Sequence, residues 1–182
     1  MKEIITKSGK RIAVYDDVFP LTHRFAFESF CARSHFILGW ADGEEQNRAE
    51  AMLHSVFSIE DLINSGLIDE ISKSKIADEF KGYSVFKAIL NLTTAADSHD
   101  GHIHLNCDKI CLIYVNQVWD TTWHGDTMFY DESVREVEYA SQFTPNRVVF
   151  FDPAIPHAIR PQSHSAKKYR FTLAIELNKV EE

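Results

Sequence analysis

Phe143-Thr-Pro-Asn-Arg-Val-Val-Phe-Phe-Asp-Pro-Ala-Ile-Pro-His157 is the stretch whose reading decides the fold. An apolar strand, Arg147–Asp152, runs into a turn braced by Pro153 and Pro156 and delivers His157 at the start of the next strand. Proline fixes φ, so the direction of the imidazole is set in advance. Around this stretch lie further segments of the same kind: Tyr83–Thr94, Ile110–Asn116, Thr127–Tyr130, Glu136–Gln142, His157–Arg160 and Tyr169–Leu177. They are short, β-branched and aromatic, and Asp, Asn, Gly and Pro clusters separate them. Strands at this spacing point to a sandwich or barrel of the jelly-roll kind.

Upstream the pattern mixes helix and strand. Ile4–Thr6 and Arg11–Tyr15 flank a turn at Gly9 and read as a hairpin. Asp16 or Asp17 is placed to cap a helix over Pro20–Ala32, whose stripe is Phe25, Phe27, Phe30 and Cys31. Residues 36–40 read as a strand, and Glu45–Phe57 as a second amphipathic helix. Ser58 opens Ser-Ile-Glu-Asp, a capping-box-like start for a helix through Ile63, and Leu67–Phe80 continues as helix. The fold class expected is therefore α+β: one domain over residues 1–182, with a helical part at about 16–80 bracing a jelly-roll core at about 83–178.

Composition narrows the function classes. A chain of 182 residues with 45% hydrophobic and 12% aromatic residues can fill a sizeable core. Its 19 Lys+Arg against 27 Asp+Glu give a net charge of −8, which lacks the basic footprint a nucleic acid demands. The start, MKEIITKSGKRIAVYDD, has no apolar h-region, and no run approaches the roughly 18 residues of a membrane span. Three cysteines without zinc or redox spacing suggest reduced thiols. The expectation is a cytoplasmic protein with neither nucleic acid nor membrane as partner. A homodimer is left open.

The chemistry-bearing residues gather in Ser98-His-Asp-Gly-His-Ile-His-Leu-Asn106. On a strand His102, His104 and Asn106 share one face. Two imidazoles on one face suit Zn, Fe, Ni or Cu; the competing reading is a polar strand edge with solvated histidines. Arg170 and Thr172 share a face of their strand, opposite Phe171, Leu173 and Ile175. An inward Arg needs an anion, and its planar fork suits a carboxylate. A structural ion pair with a core Glu or Asp would answer that need equally.

Trp119-Asp-Thr-Thr-Trp-His-Gly-Asp-Thr-Met-Phe-Tyr130 resembles the W…W-x-G-[DE]-T-x-F stretch of the Fe(II)/2-oxoglutarate-dependent oxygenases, in their prolyl-4-hydroxylase-like branch. Ile113-Tyr-Val-Asn116 is similar to that branch's Y-L-N strand, Phe143–His157 to its P-G-R…F-D…P-H segment, and Arg170-Phe-Thr172 to its co-substrate Arg with a following Ser or Thr. The resemblance covers about residues 83–178 and implies a double-stranded β-helix with iron held by H-x-D and a distal His. A literal H-x-D stands at His124-Gly-Asp126, but only three candidate strands separate it from His157, where the family topology implied by the resemblance has four. Read from His104 there are four.

At His104 the third ligand is open. The motif puts Asn106 in the place of the Asp, and coordination chemistry favours His102, since a neutral amide replaces a carboxylate poorly. The implied site is thus His104, His157 and one of His102 or Asn106, with 2-oxoglutarate on Arg170, Thr172 and Tyr114. His99, Asp100, His124 and Asp126 would lie at the mouth. The implied activity is hydroxylation of a small molecule or peptide with release of succinate and CO2. The alternative is a catalytically degenerate or cupin-like jelly roll that binds a metal or small molecule.

Overall fold

A computed structural model describes residues 1–40, 52–97 and 100–180. The hairpin forms as expected, with β1 (Lys2–Ile5) antiparallel to β2 (Arg11–Tyr15). Helix α1 spans Leu21–Ala32 and buries Phe27 and Cys31, but neither Asp16 nor Asp17 caps it. Pro20 stands at the cap position and the cap makes no side-chain hydrogen bond. Asp16 instead accepts two bonds from the Arg147 guanidinium, at 2.6 and 3.1 Å, a tertiary pair that outcompetes the local cap.

Strand β3 (Ile37–Trp40) pairs with β4 (Met52–Phe57). Residues 45–51 of the expected second helix lie outside the described residues, and its end is strand, not helix. The reason is periodicity. Leu53 and Phe57 are four apart, which places them together on a helix stripe and on a strand face alike. The open edge of β5 (Tyr83–Thr93) decides, with Leu53 opposite Leu92 and Phe57 opposite Ala88. Helix α2 (Ile59–Asn64) starts on a complete capping box: Ser58 Oγ accepts from the Asp61 amide and the Asp61 carboxylate from the Ser58 amide. Helix α3 stops at Leu67–Lys73, short of Phe80, because Ser74 turns its hydroxyl back onto the Ile71 carbonyl. A 3-10 turn over Ala77–Phe80 follows.

The remaining strands are β6 (Lys109–Tyr114), β7 (Thr127–Tyr130), β8 (Val137–Ser141), β9 (Val148–Phe151), β10 (His157–Ile159) and β11 (Arg170–Lys179). One sheet has the order β1-β2-β9-β6-β11-β5-β4-β3, the other β10-β7-β8. His102 bridges to His157 and extends the small sheet past β10. The large sheet thus recruits β1 to β4, so the N-terminal third is part of the sheet as well as a helical brace. Among the described residues strand outweighs helix, with three short α-helices.

Alternation on β11 sorts the layers. Phe171, Leu173, Ile175 and Leu177 join Phe27, Leu62, Leu67 and Phe150 in an apolar cluster under the helices. Fully burying such a side chain is worth roughly 1.5–3 kcal/mol. Arg170, Thr172, Ala174 and Glu176 take the other face, toward a second cluster that includes Leu112, Tyr114, Trp119, Phe129, Phe143 and Phe151. That face looks between the two sheets. None of the described helices is long and apolar enough to cross a membrane.

Candidate active site

Backbone pairing brings the histidines together. His102 and His157 exchange two amide–carbonyl bonds, 3.1 and 3.0 Å, and the His104 amide donates to the Pro153 carbonyl at 3.0 Å. The proline-braced turn therefore clamps both ends of the His102–His104 segment. One ring nitrogen from each of His102, His104 and His157 lies within 4.8 Å of the others. The His104 and His157 rings are nearly parallel at 5.2 Å, and His102 lies 4.4 Å from His157.

Each Nδ1 faces an oxygen that can only accept. His157 Nδ1 is 3.0 Å from the Ile155 carbonyl, His104 Nδ1 is 2.9 Å from Glu176 Oε1, and His102 Nδ1 is 3.3 Å from the Asp100 carbonyl. In a neutral imidazole that contact puts the proton on Nδ1 and the lone pair on Nε2. Three imidazoles, each with one nitrogen close to the others, form a donor set suited to a divalent transition ion.

Asn106 is not brought to this cluster. It stands exposed in the bend after His104. A face shared on an ideal strand is lost here because the pairing ends at His102 and the chain bends at 105–106. His99 lies outside the described residues. His124 is not in the cluster either. It has φ 57°, and its carbonyl accepts from Trp119 Nε1 at 2.8 Å. Asp126 accepts from the Phe143 amide at 3.3 Å and lies 3.6 Å from Arg160 Nη1, which ties it to the loop.

Arg170 is fully buried. Its Nε donates to the Gly125 carbonyl at 2.8 Å, Nη1 to Thr172 Oγ1 at 3.2 Å and Nη2 to Thr127 Oγ1 at 3.5 Å. Its guanidinium sits 4.9 Å over the Phe143 ring and 5.7 Å from that of Tyr114. These partners are neutral, and among the described residues no carboxylate reaches ion-pair distance. Burial accordingly pulls its pKa down to about 10, against the opposing pull of Tyr114 and Asp126. Gly125 makes the approach feasible: it has φ 84°, and a Cβ there would meet Arg170 Cδ at 3.1 Å.

Tyr114 and Thr172 stand opposite each other on β6 and β11. The Tyr114 hydroxyl lies 2.9 Å from Thr127 Oγ1 and 3.2 Å from the Ser141 carbonyl, and burial raises its pKa. Across β5, Thr93 is opposite Arg170 and Asn91 opposite Thr172. The buried Thr93 Oγ1 and Asn91 Oδ1 have no protein partner. A buried polar atom without a partner is costly, so these two mark a surface built for something polar.

Sequence reasoning missed Asn91, Thr93, Thr127 and Glu176. The signal for Glu176 is its register, two and three turns of the pleat beyond Thr172 and Arg170 on the same face. Cys107 also stands near His104 and Glu176. Burial and then the Glu176 charge push its thiol up to about 12, so it is no ready thiolate.

No family model matches the chain, and no curated protein does. Solved structures do. A Pseudomonas putida prolyl-4-hydroxylase superposes with TM-score 0.65 over 93% of both chains at 15% identity. A 2OG-Fe(II) oxygenase-family oxidoreductase from Burkholderia pseudomallei gives 0.66 over 93% of this chain and 86% of its own, at 12% identity. The collagen prolyl hydroxylase of Paramecium bursaria Chlorella virus-1, solved with 2OG, gives 0.64 over 95% and 98%, at 12% identity. The chain has the fold of the prolyl-4-hydroxylase-like 2OG-Fe(II) oxygenases.

Proposed function

We propose that this chain is an Fe(II)- and 2-oxoglutarate-dependent oxygenase whose core is a double-stranded β-helix. In that reading β5, β11, β6 and β9 form one wall, and β10, β7 and β8 with the His102 bridge form the other. Four strands, β6 to β9, separate His104 from β10. The observation that carries the proposal is the buried, anion-less Arg170 on the wall that faces three convergent imidazoles. Such a guanidinium is expensive to keep unless a carboxylate arrives.

His102, His104 and His157 would hold the ion, and Arg170 with Thr172 would take the distal carboxylate of 2-oxoglutarate. The bound iron and co-substrate would supply the hydroxylation chemistry with O2 as the oxidant, one oxygen atom going to the substrate and the other to succinate as CO2 is lost. The protein's share is binding and orientation. Arg170 offers its two Nη groups as a charged fork, and Thr93 Oγ1 beside it can add a hydroxyl bond. Tyr114, Trp119 and Phe143 wall the guanidinium off from water, which strengthens its hold on an anion.

The second reading is a jelly roll that binds metal or a small molecule without oxygenase chemistry. The absence of a carboxylate in the three-imidazole set favours it. Anaerobic protein titrated with Fe(II) and then 2-oxoglutarate separates the two. A weak visible charge-transfer band that grows with 2-oxoglutarate supports the oxygenase. Metal binding without the band supports the second reading.

A further inference from the structure

The large sheet places a carboxylate where the His102–Asn106 segment has none. Glu176 is 7% exposed and faces between the sheets. Its Oε1 lies 2.9 Å from Nδ1 of His104, 72 residues away in sequence. A carboxylate accepts and an imidazole Nδ1–H donates, so the pair sets His104 in the tautomer whose lone pair is on Nε2. The other two imidazoles are set by backbone carbonyls, which are neutral. The His104 Nδ1 contact is to a carboxylate.

We propose that Glu176 supplies the carboxylate of the metal centre from β11, as a positioning residue that acts through His104 rather than as a ligand. This rests on the metal-centre reading above. The physical consequence is twofold. The hydrogen bond holds the ring at one angle and raises its basicity as a donor. The negative charge also offsets the dication, which three neutral imidazoles leave uncompensated. A centre of three imidazoles plus an adjacent carboxylate carries the same net charge as two imidazoles plus a ligating carboxylate. The rigid position of β11, paired on both sides by β5 and β6, fixes the Glu176 backbone.

The test uses the whole chain with Mn(II) and Zn(II), Glu176→Gln, Glu176→Ala and His157→Ala, with folding checked by circular dichroism. Metal affinity is read by competition with a chromophoric chelator. The His104 tautomer is read from its ring 15N shifts in the zinc-loaded protein. Glu176→Ala should weaken metal binding about 10–100-fold and leave His104 in mixed tautomers. Glu176→Gln keeps an accepting oxygen, so it should keep the Nδ1–H tautomer and lose less affinity. Wild-type affinity in Glu176→Ala overturns the proposal alone, as does an Nε2–H His104 in wild type. Equal, near-complete loss of metal in Glu176→Gln and Glu176→Ala also overturns it, by making Glu176 a direct ligand. A wild type that binds metal no better than His157→Ala overturns the metal-centre reading, and the Glu176 role with it.

Discussion

Arg170→Gln removes a positive charge from a fully buried position and keeps a polar side chain of similar reach. In the structure the guanidinium spends Nε on Gly125 O and Nη1 on Thr172 Oγ1, while Nη2 has only a 3.5 Å contact with Thr127. An arriving carboxylate would take one or two charge-assisted bonds, each worth roughly 1.5–3 kcal/mol. Part of that gain goes to displacing the Thr172 bond. A net loss of at least about 1.4 kcal/mol is therefore expected, a factor of ten in 2-oxoglutarate affinity. Arg170→Lys keeps the charge and loses the fork, so it should fall between. Calorimetric titration of 2-oxoglutarate into metal-loaded protein measures all three, and metal content should not change. The same chemistry predicts a thermal shift. Ligand binding stabilises by mass action, so 2-oxoglutarate should raise Tm in wild type and little in Arg170→Gln. Equal affinities and equal Tm shifts in all three proteins would refute the reasoning and leave Arg170 a structural residue.

The other expectations follow from single contacts. His157→Ala should lose the metal and His124→Ala should keep it; elemental analysis of both proteins checks this, and metal loss in His124→Ala would restore the literal H-x-D. Asn106→Asp should change metal affinity by no more than about fivefold, the scale of an exposed charge near 1 kcal/mol; a much larger gain would place residue 106 at the ion. Gly125→Ala forces φ 84° on a residue with a Cβ 3.1 Å from Arg170 Cδ; a cost of about 1–3 kcal/mol in chemical denaturation and weaker 2-oxoglutarate binding are expected together. Burial alone would raise Glu79, but Arg11, Tyr15 and Lys109 override it and hold its pKa down at about 2. The stability this gives is present above the unfolded value and lost as pH falls from about 4.5 toward 2. Urea denaturation against pH should show that loss, about 1–3 kcal/mol after allowance for solvent screening, in wild type and not in Glu79→Gln.

Much of the architecture is legible locally. The period of two on β11 separates Phe171, Leu173, Ile175 and Leu177 from Arg170 and Thr172 without knowledge of any partner strand. The Ser58–Asp61 box is equally local, since a cap needs only its own first turn. Asp16 fails as a cap because Arg147, distant in sequence, offers a charged partner. Met52–Phe57 fails as a helix because the free edge of β5 accepts it as a strand.

The same division runs through the site. His104, His157 and Arg170 stand out in sequence because strand alternation and a proline-braced turn aim them, and both are local effects. Which of His102 and Asn106 stands beside His157 is not local. It turns on the exchange of two backbone bonds between His102 and His157 and on the bend that carries Asn106 into solvent. Nor could any short window join Glu176 to His104. The side-chain period says which face a residue takes, but the register between strands far apart in the chain says which residue it meets, and only the closed sheets determine that register.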